Sequence, residues 1–296
     1  MTTTTLLRLS AAALLMAASL RAQDEFLDQV DDALTFSADQ NQIRTRISGT
    51  LDLENYTFQQ TPPGFIVSSG TDLFQPRLSL FLDSQLGPYV YVFAQSRVDR
   101  GFDPSNQDIR IRLDEYAVRI TPWLDGIFNL QLGKFASVVG NWNPRHLSWD
   151  NPFITAPLPY EYLTGVWDVA RPPSANVLAA WARVGARPST VFPIESRSLP
   201  ILWGPSYATG ASVSGAIGRF DYAAEVKNAD LASRPQQWDP GRLGWAYPTE
   251  SARFGYRPDD KWNFGVSAST GSFLLPNARF NIPAGYGLGN YRETVL

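Results

Sequence analysis

Apolar and polar residues alternate along most of the chain after residue 42. In the first alternating segment, Ile47, Leu51 and Leu53 stand on one side, and Arg46 and Asp52 stand on the other. A period of two is typical of a β-strand with one apolar and one polar face. Eight further segments repeat the pattern: 77–83, 90–97, 109–121, 127–135, 207–217, 219–228, 251–257 and 262–271. The sequence therefore predicts nine strands, and residues 291–296 indicate the start of a tenth.

The alternation changes phase once, within segment 109–121. Before the change the apolar residues are Ile109, Ile111 and Leu113, and after it they are Tyr116, Val118 and Ile120. One extra residue in a strand shifts the phase in this way and forms a β-bulge. We therefore predict a bulge near Asp114 and Glu115.

Short and long connections take turns between the predicted strands. The short ones are 86–88, 122–126, 218–219 and 258–261, and the long ones are 59–72, 100–108, 136–206, 229–249 and 272–290. Strands of about ten residues, with short turns at one end and long loops at the other, are typical of outer-membrane barrels. We predict an all-β fold, an antiparallel transmembrane β-barrel of which about ten strands are present. The soluble alternative is a secreted β-sandwich or jelly roll.

A barrel in lipid should turn its apolar residues outward. No water reaches the bilayer core, so every backbone polar group must be paired within the protein, and a closed sheet achieves this with strands. Aromatic residues near strand ends would form interfacial girdles. The candidates are Tyr56, Phe58, Tyr207, Phe220, Tyr256 and Trp262, and the alternative for them is ordinary core packing.

The first 22 residues resemble a secretory signal peptide. Arg8 precedes an apolar run from Ala11 to Leu20, and Ala22 supplies a small residue for cleavage. The run is too short to cross a bilayer as a helix, which takes about 20 apolar residues. We expect residues 23–42 to form a periplasmic lead-in with one short helix, and residues 43–296 to form the barrel. The expected location is the cell outer membrane, with outer-membrane lipid as a partner.

The composition of the chain argues against several classes of function. The net charge of −3 offers no basic excess for nucleic acid, so we expect no nucleic-acid partner. The chain has no cysteine, which excludes thiolate metal sites and cysteine nucleophiles, and His146 is its only histidine. We find no phosphate-binding glycine loop, paired-histidine site or nucleophile elbow. We therefore predict no enzymatic activity, no cofactor and no metal.

One strand–turn–strand segment resembles a known family. Residues 112–123 read Arg-Leu-Asp-Glu-Tyr-Ala-Val-Arg-Ile-Thr-Pro-Trp, and residues 128–135 read Phe-Asn-Leu-Gln-Leu-Gly-Lys-Phe. A tyrosine-bearing strand followed by a Leu-x-x-Gly-x-Phe strand resembles the bacterial phosphate-selective porins. The resemblance covers most of residues 43–296. It implies a water-filled barrel of 16 or 18 strands that assembles as a homotrimer.

The chain departs from that family pattern in two respects. It has only three lysines, Lys134, Lys227 and Lys261, where the family uses a dense ladder of Lys and Arg for its anion site. It also stops at Leu296, part-way into an apparent strand, rather than at a terminal aromatic residue. We therefore expect a truncated sequence and a selectivity other than for phosphate. A barrel of only ten strands is the alternative.

The polar residues of the first strands are the candidates for lining a lumen. These candidates are Arg44, Arg46, Arg77, Arg97, Arg110, Arg112, Asp52, Glu54 and Asp83. Guanidinium groups on neighbouring strands would form a positive wall that favours small anions. Alternatively, the charges pair across neighbouring strands and keep the pore wet. The residues alone leave both interpretations open.

The connection 136–206 is too long for an ordinary loop, which indicates a functional role. We predict that it folds into the barrel as a constriction loop. Its candidate residues are Trp142, Arg145, His146, Trp149 and Asp150, and a short helix is expected over 175–184. Its tryptophans could contact sugar-like solutes or form a small core that holds the loop against the wall.

These patterns together predict a passive diffusion porin for small hydrophilic solutes with a weak preference for anions. The alternative function is a non-conducting barrel, or a secreted β-sheet protein, that binds a carbohydrate-like ligand through its loops.

Overall fold

The structure is a computed structural model of the chain. It describes residues 28–40, 42–57, 59, 72–99, 109–123, 125–143, 146–147, 151, 156–185, 199–234 and 245–296, without the side chains at 73, 110, 161 and 182–185. The predicted signal peptide therefore lies outside the described residues.

The described chain contains eleven β-strands. They are β1 (Thr35–Ala38), β2 (Ile43–Thr57), β3 (Asp72–Leu86), β4 (Val90–Asp99), β5 (Arg110–Ile120), β6 (Asn129–Phe135), β7 (Ala208–Ile217), β8 (Phe220–Lys227), β9 (Thr249–Tyr256), β10 (Phe264–Ser272) and β11 (Arg292–Val295).

The strands form one antiparallel sheet in which each strand pairs with its neighbours in the sequence, from β1 to β11. All nine predicted strands and the predicted tenth are confirmed. The strand that the sequence did not predict is β1, which pairs with the start of β2. Residues 28–33, in the predicted lead-in, are helical as expected.

The predicted bulge lies between β4 and β5. Gln95 is opposite Glu115, but the next residue of β4, Ser96, is opposite Leu113, so Asp114 is the extra residue. The bulge turns Asp114 and Glu115 to the same side of the sheet. It reconciles the two phases of segment 109–121, as the sequence indicated.

The sheet has an apolar face with large exposed side chains and a polar face with buried ones. Leu51 is 64 % exposed and Val266 is 71 % exposed, while Arg112 and Asp114, on the other face, are each 1 % exposed. The apolar face also carries Ile47, Leu53, Phe74, Leu78, Leu80, Leu82, Ile111, Val118, Leu132, Phe220, Val226, Phe254 and Phe264. This distribution is the reverse of that in an ordinary soluble sheet, where the apolar face is covered.

Apart from residues 28–33, the helices that the structure describes lie in the long connections. Helix α1 (Leu158–Glu161) and helix α2 (Ala175–Gly185) belong to connection 136–206, and α2 confirms the predicted helix there. Short 3₁₀ segments, Pro276–Asn281 and Leu288–Asn290, lie between β10 and β11. None of the helices within the described ranges has the length and apolarity to cross a bilayer.

The sheet is open in the part of the chain that the structure describes. Strands β1 and β11 are its two edges and do not pair with each other. The antiparallel all-β fold is therefore confirmed, and the closed barrel remains a prediction.

Gly133 of β6 occupies a position that excludes any side chain. Its φ is +141°, and a Cβ atom there would lie 2.2 Å from the carbonyl oxygen of Tyr116 and 2.6 Å from Cα of Ala117. Both neighbours are backbone atoms of the paired strand and cannot move aside independently. The β5–β6 pairing thus requires glycine at this position.

We expect Gly133→Ala to lower the free energy of unfolding by at least about 1–3 kcal/mol, because it adds backbone strain to a steric clash. Gly265→Ala in β10 is the matched control, since its nearest neighbour would be 3.3 Å away. Urea unfolding followed by tryptophan fluorescence measures both variants. Equal losses would contradict the argument from close approach.

Candidate functional site on the polar face

Three arginines on consecutive strands lie side by side on the polar face. Arg77 belongs to β3, Arg97 to β4 and Arg112 to β5. Arg97 and Arg112 are directly opposite in the register. Like charges in directly opposite positions destabilise a sheet unless counter-charges separate them. The arrangement therefore requires carboxylates nearby.

Asp99 of β4 and Asp114 of β5 supply these carboxylates. Arg112 Nη1 lies 2.7 Å from Asp99 Oδ1, and Arg112 Nε lies 3.2 Å from Asp114 Oδ1. Arg97 Nε is 3.0 Å from Asp114 Oδ2 and 3.4 Å from Asp99 Oδ2. Each aspartate thus bridges the two arginines.

Glu54 of β2 extends the network to a fourth strand. Its Oε1 atom lies 3.0 Å from Arg77 Nη2, and Arg77 Nε lies 3.6 Å from Asp99 Oδ2. Tyr56 also donates a 2.8 Å hydrogen bond to Glu54. We call Glu54, Arg77, Arg97, Asp99, Arg112 and Asp114 the ion network. Its three guanidinium groups and three carboxylates balance in charge.

The bulge brings Asp114 to the ion network and Glu115 to the start of connection 136–206. In a regular strand, Asp114 and Glu115 would point to opposite faces. Here Asp114 turns to the two arginines, while Glu115 Oε1 accepts a 2.7 Å hydrogen bond from the backbone N–H of Ala136. One inserted residue thus serves both the pairing of charges and the attachment of the following connection.

This pairing decides between the two interpretations of the arginines. Arg77, Arg97 and Arg112 are held by carboxylates, as the cross-strand alternative predicted, and do not form an unpaired positive wall. Buried charges need such partners, because an unpaired guanidinium in a low-dielectric environment costs several kcal/mol. That these residues line a lumen stays a prediction.

The other predicted lumen residues lie outside the ion network. Asp52 is on the polar face opposite Arg77, and Asp83 accepts a hydrogen bond from the hydroxyl group of Tyr91. Arg46 forms an exposed ion pair, 2.6 Å long, with Asp31 of the lead-in. Arg44 is exposed on β2. Arg110 begins β5, and its side chain lies outside the described part.

The first part of connection 136–206 crosses the polar face. The hydroxyl group of Ser137 donates a 2.7 Å hydrogen bond to Glu225 of β8, next to the bond from Ala136 to β5. Farther along, Asn141 Oδ1 accepts a 2.8 Å hydrogen bond from Arg253 of β9, and the N–H of Gly140 donates to Ser267 Oγ of β10 at 3.1 Å. The segment therefore spans the sheet from β5 to β10.

Lys227 of β8 forms hydrogen bonds at both ends of this connection. Its ammonium group donates hydrogen bonds to the carbonyl oxygens of Phe135 at 2.7 Å and Ser206 at 3.3 Å. It also lies 3.5 Å from Glu225 Oε2 and over the ring of Phe135. The ammonium group thereby holds Phe135, the last residue of β6, close to Ser206, which lies two residues before β7.

His146, one of the predicted constriction residues, links connection 136–206 to Tyr207, the residue just before β7. Its Nδ1 atom is 2.5 Å from the carbonyl oxygen of Asn143, which can only accept, so Nδ1 carries the proton. Its Nε2 atom, 2.6 Å from the hydroxyl group of Tyr207, therefore accepts. Burial lowers the pKa of His146 to about 4. The imidazole is neutral at physiological pH.

Trp142, a second predicted constriction residue, packs into a small core. Its ring centroid lies 4.4 Å from that of Tyr160, and both contact Val139 and Leu202. This is the small core that the sequence offered as the alternative to solute binding. Arg145, Trp149 and Asp150 lie outside the described residues.

The aromatic residues near strand ends divide into two groups. Phe220, Tyr256 and Trp262 lie near the short connections and stack with neighbouring rings, as interfacial aromatics would. Tyr207 is 2 % exposed and bonded to His146, so the core-packing alternative holds for it. Phe58 lies outside the described residues.

Several polar-face residues escaped the sequence analysis. Asp99 could have been found two positions after Arg97, on the same face of the strand. Arg119 could have been found by carrying the phase change at Asp114 through to the end of β5, where it turns Arg119 to the polar face. Glu225 and Lys227 alternate with the apolar residues of segment 219–228, but no sequence signal joined them to connection 136–206.

An open cavity of about 770 Å³ lies between connection 136–206 and the last strands. Its lining is mainly apolar and includes Val139, Tyr160 and Leu202, with Arg253 and Ser267 as polar groups. The described residues contain no group of three or more histidine and acidic side chains placed to hold a metal ion.

We expect Arg112→Met to lower the free energy of unfolding by about 3–5 kcal/mol, because it leaves Asp99 and Asp114 buried with one counter-charge fewer. The control is Arg46→Met. Arg46 and Asp31 are 53 % and 50 % exposed, so losing that pair should cost less than about 1 kcal/mol. Urea unfolding of both variants checks this, and similar losses would refute the importance of the ion network.

His146 should stabilise the folded chain less and less as the pH drops from about 6.5 to about 4. Because its pKa is lower in the folded state, the unfolded chain takes up the proton in this window and the folded chain does not. His146→Gln keeps a donor and an acceptor but cannot titrate. At pH 7.5, 5.5 and 4.5 the urea midpoint of the wild type should fall progressively relative to that of the variant, and parallel curves would disprove the assignment.

Comparison with protein-family models and with curated proteins finds no match for this sequence. The resemblance to phosphate-selective porins therefore remains a prediction from residues 112–135.

Proposed function

We propose that the chain forms an outer-membrane porin, a passive channel for small hydrophilic solutes. The observation that carries the proposal is the reversed distribution of side chains in the sheet. Leu51, Leu53 and Val266 are each more than 60 % exposed, whereas four charged residues on the opposite face are almost completely buried: Arg97, Asp99, Arg112 and Asp114. A lipid environment around the apolar face accounts for this distribution.

The extent of the apolar face supports lipid rather than a protein partner. Exposed large apolar residues lie on β2, β3 and β5–β10, on the same side of every strand. Soluble monomers seldom expose a continuous apolar patch of more than a few hundred Å². A face that continues over eight strands fits a surrounding solvent of hydrocarbon.

The polar face and connection 136–206 are consistent with a water-filled channel on this side of the sheet. Connection 136–206 crosses the polar face from β5 to β10, where a constriction loop would lie. The ion network is charge-balanced, which favours a general diffusion channel over a strong anion filter. Its residues would keep the wall wet without attracting one sign of charge strongly.

The proposal requires that both sheet edges be paired in the membrane. Unpaired N–H and C=O groups are too costly in the hydrocarbon core, so β1 and β11 must each have a neighbouring strand there. Those neighbours could complete a single barrel of 16 or 18 strands, as the family resemblance implies. The homotrimer is likewise part of the proposal.

The cavity beside connection 136–206 favours one alternative, a non-conducting protein that binds a ligand at its loops. Its volume of about 770 Å³ is within the range of small-molecule sites, and Arg253 would give such a ligand a polar contact. This alternative predicts saturable binding of a carbohydrate-like solute, weakened by Arg253→Gln, in a protein that passes no current.

We expect the purified full chain to produce stepwise ionic currents in planar lipid bilayers, because a water-filled lumen conducts ions. Heat-denatured protein is the control for detergent and contaminants. A membrane that stays silent, with protein demonstrably inserted, would reject the channel function.

We expect Leu51→Arg to reduce insertion into liposomes, because an arginine on the lipid face costs about 2–4 kcal/mol near the bilayer midplane. Leu51→Phe, which keeps the position apolar, should insert like the wild type. Protection from external protease measures insertion. In a soluble protein an arginine at this exposed position would be tolerated, so equal protection of both variants argues against a lipid-facing surface.

A further inference from the structure

Arg119 of β5 differs from the arginines of the ion network in its partners. It lies on the polar face, directly opposite Tyr91 of β4 and directly opposite Gln131 of β6. Its Nε and Nη2 atoms donate hydrogen bonds of 3.1 and 2.9 Å to the same oxygen, Gln131 Oε1. The direct partner of this guanidinium group is therefore a neutral amide and not a carboxylate.

Two aromatic rings lie close to the same guanidinium group. Its central carbon lies 5.8 Å from the ring centroid of Tyr91 and 5.7 Å from that of Phe93, and the two rings stack with centroids 5.7 Å apart. The hydroxyl group of Tyr91 is bonded to Asp83, which fixes the ring in place. Such contacts orient an arginine without neutralising it.

The geometry leaves one edge of the guanidinium group available. Gln131 occupies the edge formed by Nε and Nη2. The remaining edge, formed by Nη1 and the second N–H of Nη2, has no acceptor among the described residues, and Arg119 as a whole is exposed. Two parallel N–H groups on this edge match the two oxygens of a carboxylate.

The surrounding charges restrict the ligand. Two carboxylates lie on the same face as Arg119: Asp83 accepts the hydrogen bond from Tyr91, and Glu115 precedes Arg119 on β5, so the region carries charges of both signs. Glu115 is already bonded to the N–H of Ala136. A single guanidinium group in a mixed field suits a monovalent anion, since multiply charged anions are usually bound by several cations.

We propose that Arg119, held by Gln131 and the rings of Tyr91 and Phe93, is a binding site for monovalent carboxylates. As a contact site on the wall of a solute pathway, it rests on the proposed channel function; as a binding site, it can be tested without any current. It would give a channel with a charge-balanced ion network a preference for small organic acids.

The test uses trifluoroacetate as the carboxylate probe and the full chain in detergent micelles. The fluorine NMR shift of trifluoroacetate is titrated with protein at constant sodium chloride concentration. We expect a saturable shift with the wild type and about tenfold weaker binding with Arg119→Gln, because the variant loses charge-assisted hydrogen bonds. Arg119→Lys keeps the charge but has no planar fork, and we expect it to bind at least about threefold more weakly than the wild type.

Arg219→Gln is the matched control, since it removes an exposed arginine from the turn between β7 and β8. It should bind like the wild type, and the urea midpoint of each variant verifies its folding. The proposal is overturned if the wild type gives no saturable shift, if Arg219→Gln loses as much affinity as Arg119→Gln, or if Arg119→Lys binds like the wild type. Planar-bilayer currents are recorded separately, so a chain that binds trifluoroacetate but stays silent rejects the channel and keeps the site.

Discussion

Two arginines directly opposite each other on adjacent strands can be buried only when carboxylates lie between them, and much of this structure follows from that constraint. Arg97 and Arg112 occupy such a pair of positions, and Asp99 and Asp114 each bridge them. The bulge that inserts Asp114 into β5 is therefore part of the electrostatics of the sheet. It also sets the phase of the rest of β5 and so turns Glu115 and Arg119 to the polar face.

Connection 136–206 depends on the same strand and on charges farther along the sheet. Its segment 136–141 lies where backbone N–H groups need acceptors, and Glu115 and Glu225 provide them at its start. Lys227 satisfies the carbonyl oxygens on both sides of the connection. Because these contacts come from β5 and β8–β10, segment 136–141 can lie flat across the polar face. Trp142, which follows it, packs against a small core.

The strands, their order and the bulge could be predicted from the sequence because each depends on a pattern within a single segment. Strand β1 was missed because four residues, Thr-Phe-Ser-Ala, are too few to establish a period of two. The state of the arginines could not be predicted, since it depends on which residues are opposite each other across strands. Arg77, Arg97 and Arg112 belong both to the expected positive wall and to the observed ion network. What the sequence did not reveal is that Asp99 and Asp114 lie between Arg97 and Arg112.

The two faces of the sheet differ in how much they depend on individual residues. The apolar face repeats the same simple property on eight strands, so it depends little on any one residue and suits a solvent-like partner such as lipid. The polar face is specific: the ion network is balanced and buried, whereas Arg119 is oriented by neutral groups and exposed. A balanced network cannot discriminate strongly between anions and cations by its net field. Under the proposed porin function, discrimination must then come from an oriented group that keeps its charge available, and Arg119 has that property.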